Sequence, residues 1–359
     1  MILLSIQLCT IVILGFASAA PANISHGLPH LVPRDDPLGK FIFEDCDSTQ
    51  EAVLRKAFLN IRDMLSSQRH ALTTVGNYLT EKLNGESSEL TTEIEIELET
   101  YKMFYGDFDY SDQCDIAGVD RAASAVKDVV EIDRILSSHA FSGSYSPTIF
   151  CSDKAFEYVR TEGNRAVYKN TRDPDQREVN VEDGQQAGIC YKENQNEEGH
   201  QSAMMLYPPG NNADWMLICP VCFNRWKLPG SEPEKGSESD YGHISDWKSV
   251  PREVMSGDSL KDIFEKTVEG IVLHELSHTG AIPHSLDLSG QNSGKKLLPL
   301  DDVATKQGKV AYGLEEVMQL AIDFKDDPSK MVQNADTIAF HAETSYLNHC
   351  NWAPDGICK

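Results

Sequence analysis

Apolar residues recur at helical spacing through the N-terminal third of the chain. Val53, Leu54, Ala57, Phe58, Ile61 and Leu65 share one face over residues 47 to about 83, and similar spacing runs over 90–105 and 118–139. These stretches predict a helical block that serves as scaffold. From about residue 148 the pattern changes to short β-rich runs, TIFCS, RAVYKN, AMMLYP and WMLICPVCF, divided by turn signals such as Pro208-Pro209-Gly210-Asn211-Asn212. Polar stretches at about 170–200 and 228–256 predict surface insertions or parts of a cleft. A broad apolar stripe of Ile263, Phe264, Val268, Ile271, Val272 and Leu276 then predicts one helix over 259–279. Ser259 and Asp262 have capping-box spacing at its start, and Gly280 suits the left-handed position after its last turn. A loop over 284–311 and helical patterns at 314–324 and 336–348 complete the chain, with no internal repeat. The expected fold class is α+β: a helical N-terminal block, a small antiparallel β-sheet and one helix carrying the HELSH sequence.

Residues 1–19 change the picture at one end. The apolar stretch LLSIQLCTIVILGF followed by Ala17-Ser18-Ala19 reads as a secretory signal peptide, and it is short for a membrane anchor. Residues 20–38, rich in Pro and small residues, are expected to be disordered or a short pro-segment, with a glycosylation sequon at Asn23-Ile24-Ser25. Residues 39–359 are expected to form a single domain with insertions at about 170–200 and 228–256. Of nine cysteines, Cys9 leaves with the signal, and the even remainder in a secreted chain predicts disulfides. Cys350 to Cys358 is expected to close a small loop, and Cys46 to Cys114 to form a long clamp. Cys219-x-x-Cys222 reads as disulfide cysteines rather than a zinc knuckle, because no second such pair exists. The net charge of −24 argues against nucleic acid and anionic membrane as partners. A secreted, extracellular monomer is expected.

The chemistry concentrates in His274-Glu275-Leu276-Ser277-His278. Imidazoles four residues apart on a helix share one face and can reach a single metal ion. Glu275 lies on the flank of that pair, where it could take a proton from a water on the metal. Three such groups within an apolar stripe need partners to offset desolvation, and a metal would satisfy all of them. Several residues compete to be the third ligand. His284 follows His278 at the metzincin interval, although Ala281 stands where that motif has its glycine. Glu315 and Glu316 lie on a later helical pattern, and Asp287, Asp301 and Asp302 lie in the intervening loop.

IVLHELSH, Asp302-Val303, Ala311-Tyr312-Gly313 and Asn334-Ala335-Asp336 together resemble the deuterolysin-type zinc endopeptidases, the aspzincins. The run at 216–220 and Cys46 look similar as well, so the resemblance spans roughly residues 44–349. It implies a zincin-like fold and one zinc ion held by His274, His278 and Asp302, with His284 and Asp301 as alternative third ligands. Glu275 would be the general base, Tyr312 would steady the oxyanion, and Asp336 would line the pocket for the residue after the scissile bond. The chain departs from the family at Lys309, where the pattern places an aspartate three residues before the tyrosine. A small loop inserted between Asp302 and Tyr312 would reconcile the two. Ala339 stands where lysine-specific relatives carry an acid, so strict lysine specificity is not implied. The expected function is a secreted zinc endopeptidase acting on protein or peptide substrates. The alternative is a secreted zinc-binding or antigen-like protein of the same fold without proteolytic activity.

Overall fold

The computed structural model describes residues 41–86, 89–107, 116–142, 147–182, 184, 186–191, 203–208, 214–225, 242–248, 254–279 and 300–359. The signal peptide, the pro-segment with its sequon, Cys114, Gly280, His284, Asp287 and most of the 228–256 insertion lie outside the described residues. In chain order the elements are β1 (Ile42–Glu44), α1 (Ser48–Leu83), α2 (Thr92–Tyr105), α3 (Ile116–Ser142), β2 (Thr148–Phe150), β3 (Phe156–Glu162), β4 (Arg165–Asn170), β5 (Glu178–Glu182), β6 (Ala203–Leu206), β7 (Trp215–Ile218), α4 (Pro220–Arg225), α5 (Leu260–Lys266), α6 (Val268–Ser277), α7 (Leu314–Asp323), α8 (Ser329–Val332) and α9 (Ala335–Tyr346). The fold is mixed helix and sheet.

The helical block begins where a capping box dictates. Asp47 Oδ1 accepts from Thr49 N and Gln50 N at 2.8 Å, and Gln50 Oε1 accepts from Asp47 N at 2.9 Å. From there Leu54, Phe58, Ile61, Leu65, Leu72 and Leu79 line one buried face of α1, which packs against α3, α9 and α6. This long helix is the wall on which the candidate site rests.

The strands differ from the single antiparallel sheet expected. One sheet has the order β1-β2-β7-β6, with β1, β2 and β7 parallel and only β6 antiparallel. A second, antiparallel sheet has the order β3-β4-β5. The reason is topological: the whole helical block separates β1 from β2, a crossover long enough for parallel pairing. Ile149 and Phe150 of TIF and all of WMLI are accordingly buried rather than alternating. β5 falls in a segment expected to be an insertion, although Val179 and Val181 alternate there with polar residues as a half-buried strand requires. The run WMLICPVCF is a strand only to Ile218; Pro220 then opens α4, its fixed φ suiting the first turn of a helix.

Strand pairing also corrects the long disulfide. Glu44 and Phe150 are paired residues in adjacent parallel strands, so Cys46 and Cys151 emerge side by side with Cα atoms 4.9 Å apart and are bonded. Cys46 therefore does not pair with Cys114. Cys190 bonds Cys219, and Cys350 bonds Cys358 as expected. No helix among the described residues is long and apolar enough to cross a membrane.

The helix expected over 259–279 is two helices. Thr267 is extended at φ −107° and ψ 148°, and its strand-like backbone lets Gly242 N donate to Lys266 O at 3.2 Å and Val268 N donate to Gly242 O at 3.3 Å. The Thr267 hydroxyl donates to Glu343 Oε1 at 3.2 Å, so the break is anchored to α9. α5 folds back so that the Phe264 ring covers Gly270, where any Cβ would come within 2.8 Å of it. The same ring stacks on Phe340 of α9 at 4.0 Å between centroids. α6 is thereby pinned between α1, α5 and α9.

Candidate metal centre

α6 carries His274 and Glu275 in its last turn, and His278 caps it. All three are buried: His274 is 9 % exposed, Glu275 7 % and His278 9 %. Helical spacing brings the two Nε2 atoms to 3.1 Å from each other. Both Nδ1 atoms are already committed. His278 Nδ1 lies 2.6 Å from the carbonyl of Leu300, and His274 Nδ1 lies 2.5 Å from Asp336 Oδ1. A carbonyl and a carboxylate only accept, so each Nδ1 donates, and each neutral ring turns an Nε2 lone pair inward. Two lone pairs at that separation repel unless a proton or a cation lies between them.

The third inward atom is Asp302 Oδ1, 3.4 Å from His278 Nε2 and 3.7 Å from His274 Nε2. It is buried and makes no hydrogen bond of its own. The three atoms lie within 4.8 Å of one another, and no other such group of His, Cys, Asp or Glu occurs among the described residues. Tetrahedral coordination at ordinary metal–nitrogen and metal–oxygen lengths separates ligand atoms by about 3.3 Å. Distances of 3.1, 3.4 and 3.7 Å therefore fit a single metal ion of that size.

Electrostatics point the same way. Burial alone would lower the His274 pKa, but the charge and hydrogen bond of Asp336 outweigh it and lift the imidazole to about 9. His278 is also raised, burial being outweighed by Asp302. Glu275 is raised by burial, partly offset by the two histidines; burial also pushes Asp302 up, but the two imidazoles and the Tyr312 hydroxyl together outweigh it and leave Asp302 lowered. Three carboxylates around two imidazoles make a site that favours positive charge.

Asp302 reaches this point through a hairpin. Ala304 pairs with Val310, Ala311 N donates to Val303 O at 2.9 Å, and Thr305 N donates to Lys309 O at 2.8 Å. The hairpin lies between Asp302 and Tyr312, and Lys309 on it turns outward to pair with Glu316. Asp302 and Tyr312 sit at its two ends, and the Tyr312 hydroxyl donates to Asp302 Oδ2 at 2.6 Å. The Tyr312 ring is 54 % exposed and stands 5.9 Å from the ring of His274. Gly313 follows at φ 85°, a conformation disfavoured for side chains with a Cβ, and its N–H donates to Asp336 Oδ2 at 2.6 Å.

Other expected positions fall elsewhere. Asp301 is exposed, and its Oδ1 accepts from Asp302 N at 3.0 Å, away from the three inward atoms. Glu316 holds Lys309, and Glu315 lies 3.9 Å from Lys261. Asp336 lies behind His274. It is buried with both oxygens spent on His274 and Gly313, behind the metal-facing ring rather than in front of it.

Two participants carry no sequence signal. The Leu300 carbonyl is a backbone group, which residue identity does not mark. Tyr207, just past β6, donates its hydroxyl to the His278 carbonyl at 2.6 Å and leaves its ring half-exposed beside the site. Burial, then Asp214 and Glu275, push its ionisation upward, so it remains a donor. No protein-family model matches the chain, and no curated protein is significantly similar to it.

Proposed function

We propose that this protein is a secreted, zinc-dependent endopeptidase of zincin-like architecture, acting as a monomer on protein or peptide substrates. The observation that carries the reading is the convergence of His274 Nε2, His278 Nε2 and the unpartnered Asp302 Oδ1, with Glu275 on the same helix turn. Two imidazoles and one carboxylate are a donor set that suits zinc and leaves a coordination position open. This is also the ligand set that the aspzincin resemblance implies. Bound zinc would supply Lewis acidity, polarising the scissile carbonyl and acidifying the attacking water.

The chain's own groups do the rest. Glu275 accepts the proton of the attacking water and delivers it to the leaving amine. Its burial raises its pKa toward the working pH, which favours transfer in both directions. The Tyr312 hydroxyl, which donates to Asp302 Oδ2 in the structure, turns to donate to the carbonyl oxygen as negative charge develops there. Asp336 and the Leu300 carbonyl hold the two imidazoles in orientation, so neither ring turns when substrate enters. The three disulfides among the described residues and the signal-like sequence of residues 1–19 support secretion.

Replacing Glu275 tests the reading. The Glu275→Ala variant is expected to retain one zinc per chain by metal analysis while peptide cleavage falls by about ten-thousand-fold. Cleavage that survives in this variant removes Glu275 from the mechanism. A wild-type protein that binds one zinc yet cleaves no casein-type substrate at any pH supports the metal-binding alternative instead.

A further inference from the structure

We infer that Asn334 is a positioning residue that sets Asp302 and Tyr312 as one unit; the inference rests on the metal-dependent reading of the site above. Asn334 is 0 % exposed, and its side chain stands between the two legs of the 303–311 hairpin. Its Oδ1 accepts from Val303 N at 2.9 Å, the residue directly after Asp302. Its Nδ2 donates to Ala311 O at 3.4 Å, the residue directly before Tyr312, and to Thr337 Oγ1 at 3.1 Å. The orientation of the amide follows from its partners, since Val303 N only donates and Ala311 O only accepts.

Backbone pairing fixes where this clamp stands. Asp301 N donates to Gln333 O at 2.9 Å, and Ala335 N donates to Asp301 O at 3.1 Å, so one leg of the hairpin runs alongside residues 333–335. Two residues further on, Asp336 holds His274 Nδ1 and Gly313 N. The start of α9 thus registers three pieces of the site against one another. Asn334 sets the hairpin legs and Asp336 sets the imidazole. An amide is the side chain of this length that offers one acceptor and one donor together. A carboxylate keeps the link to Val303 and loses the link to Ala311, and alanine loses both.

That asymmetry is the test, read in cobalt-substituted protein at pH 8 with Tyr312 monitored by 19F NMR after 3-fluorotyrosine labelling. The Tyr312 resonance is assigned by its loss in Tyr312→Phe. For Asn334→Asp, the expected result is a cobalt spectrum and metal affinity within about threefold of wild type, together with a displaced Tyr312 resonance. If the protein is a peptidase, kcat falls about thirtyfold at unchanged KM, the cost of losing one placed donor. Asn334→Ala is expected to disturb both readouts, with metal affinity down at least about tenfold. Should the alanine variant fail to fold, the isosteric Asn334→Asp decides alone. An unmoved Tyr312 resonance in Asn334→Asp overturns the inference, as does an alanine variant with the wild-type cobalt spectrum. A wild-type protein that takes up cobalt without cleaving peptides defeats the peptidase reading and leaves both spectroscopic outcomes readable.

Discussion

His274 and His278 reach the same point because an α-helix returns to one face about every four residues, whereas Asp302 and Tyr312 reach it because a hairpin folds back and lands on the start of α9. The first half of the site is set by local periodicity and then buried against α1, α5 and α9. The second half depends on backbone pairs between residues about thirty apart and on hydrogen bonds at the hairpin's ends. The helical half tolerates a shift of its neighbours, since the spacing of its ligands is internal to the helix. The hairpin half does not: a small displacement of either leg moves a ligand or a donor.

The largest expected break is at the hairpin. Asp302→Ala should weaken zinc binding roughly a thousandfold by competition with a chelator, because on the proposed reading it removes one of three protein ligands. Asp301→Ala should stay within about threefold, since that carboxylate faces away. Equal losses in the two variants would mean that the backbone of 301–303, and not the Asp302 carboxylate, holds the metal. Tyr312→Phe comes next, with kcat reduced about a hundredfold and zinc content unchanged. A loss of zinc in that variant would show that the phenol acts by holding Asp302 in place.

Behind the imidazoles the expected loss of metal affinity is smaller. Asp336→Asn keeps the shape behind His274 and removes its charge, so zinc affinity should drop by about ten- to a hundredfold. The smallest effect is one of pH on the metal-free protein. His274 is raised to about 9 in the folded chain, above its unfolded value near 6.5, so folding binds a proton there. Its stabilising contribution is full below about pH 6.5 and is lost as the pH rises through about 9. The melting temperature of chelator-treated protein should fall over that window. Asp336→Asn should flatten the fall, and a melting curve that rises with pH there would contradict the pairing.

How much of this was legible beforehand follows from the same division. Helices at 47–83, 90–105, 314–324 and 336–348 could be read from periodicity within a few residues of the observed bounds, because one buried face per helix is a local pattern. The break at Thr267 could not, since the stripe runs through it; the bridge to Gly242, the bond to Glu343 and the Phe264 ring over Gly270 impose it from outside. Parallel pairing of β1, β2 and β7 was equally hidden, and with it the bond from Cys46 to Cys151. Strand partners are chosen by the path of the chain and not by the composition of the strand.

Within the site, the spacing of HELSH alone brought two imidazoles and a carboxylate to one helix end, since adjacency at four residues is built into the helix. The sequence also marked Asp301 and Asp302 as rivals and Lys309 as a departure requiring a loop. The tertiary structure set Asp302 and not Asp301 beside the two imidazoles, placed Asp336 on His274 Nδ1, and brought in Tyr207 and the Leu300 carbonyl. Those decisions depend on which backbone segments lie side by side, and that is a property of packing over long sequence separations that no local pattern encodes.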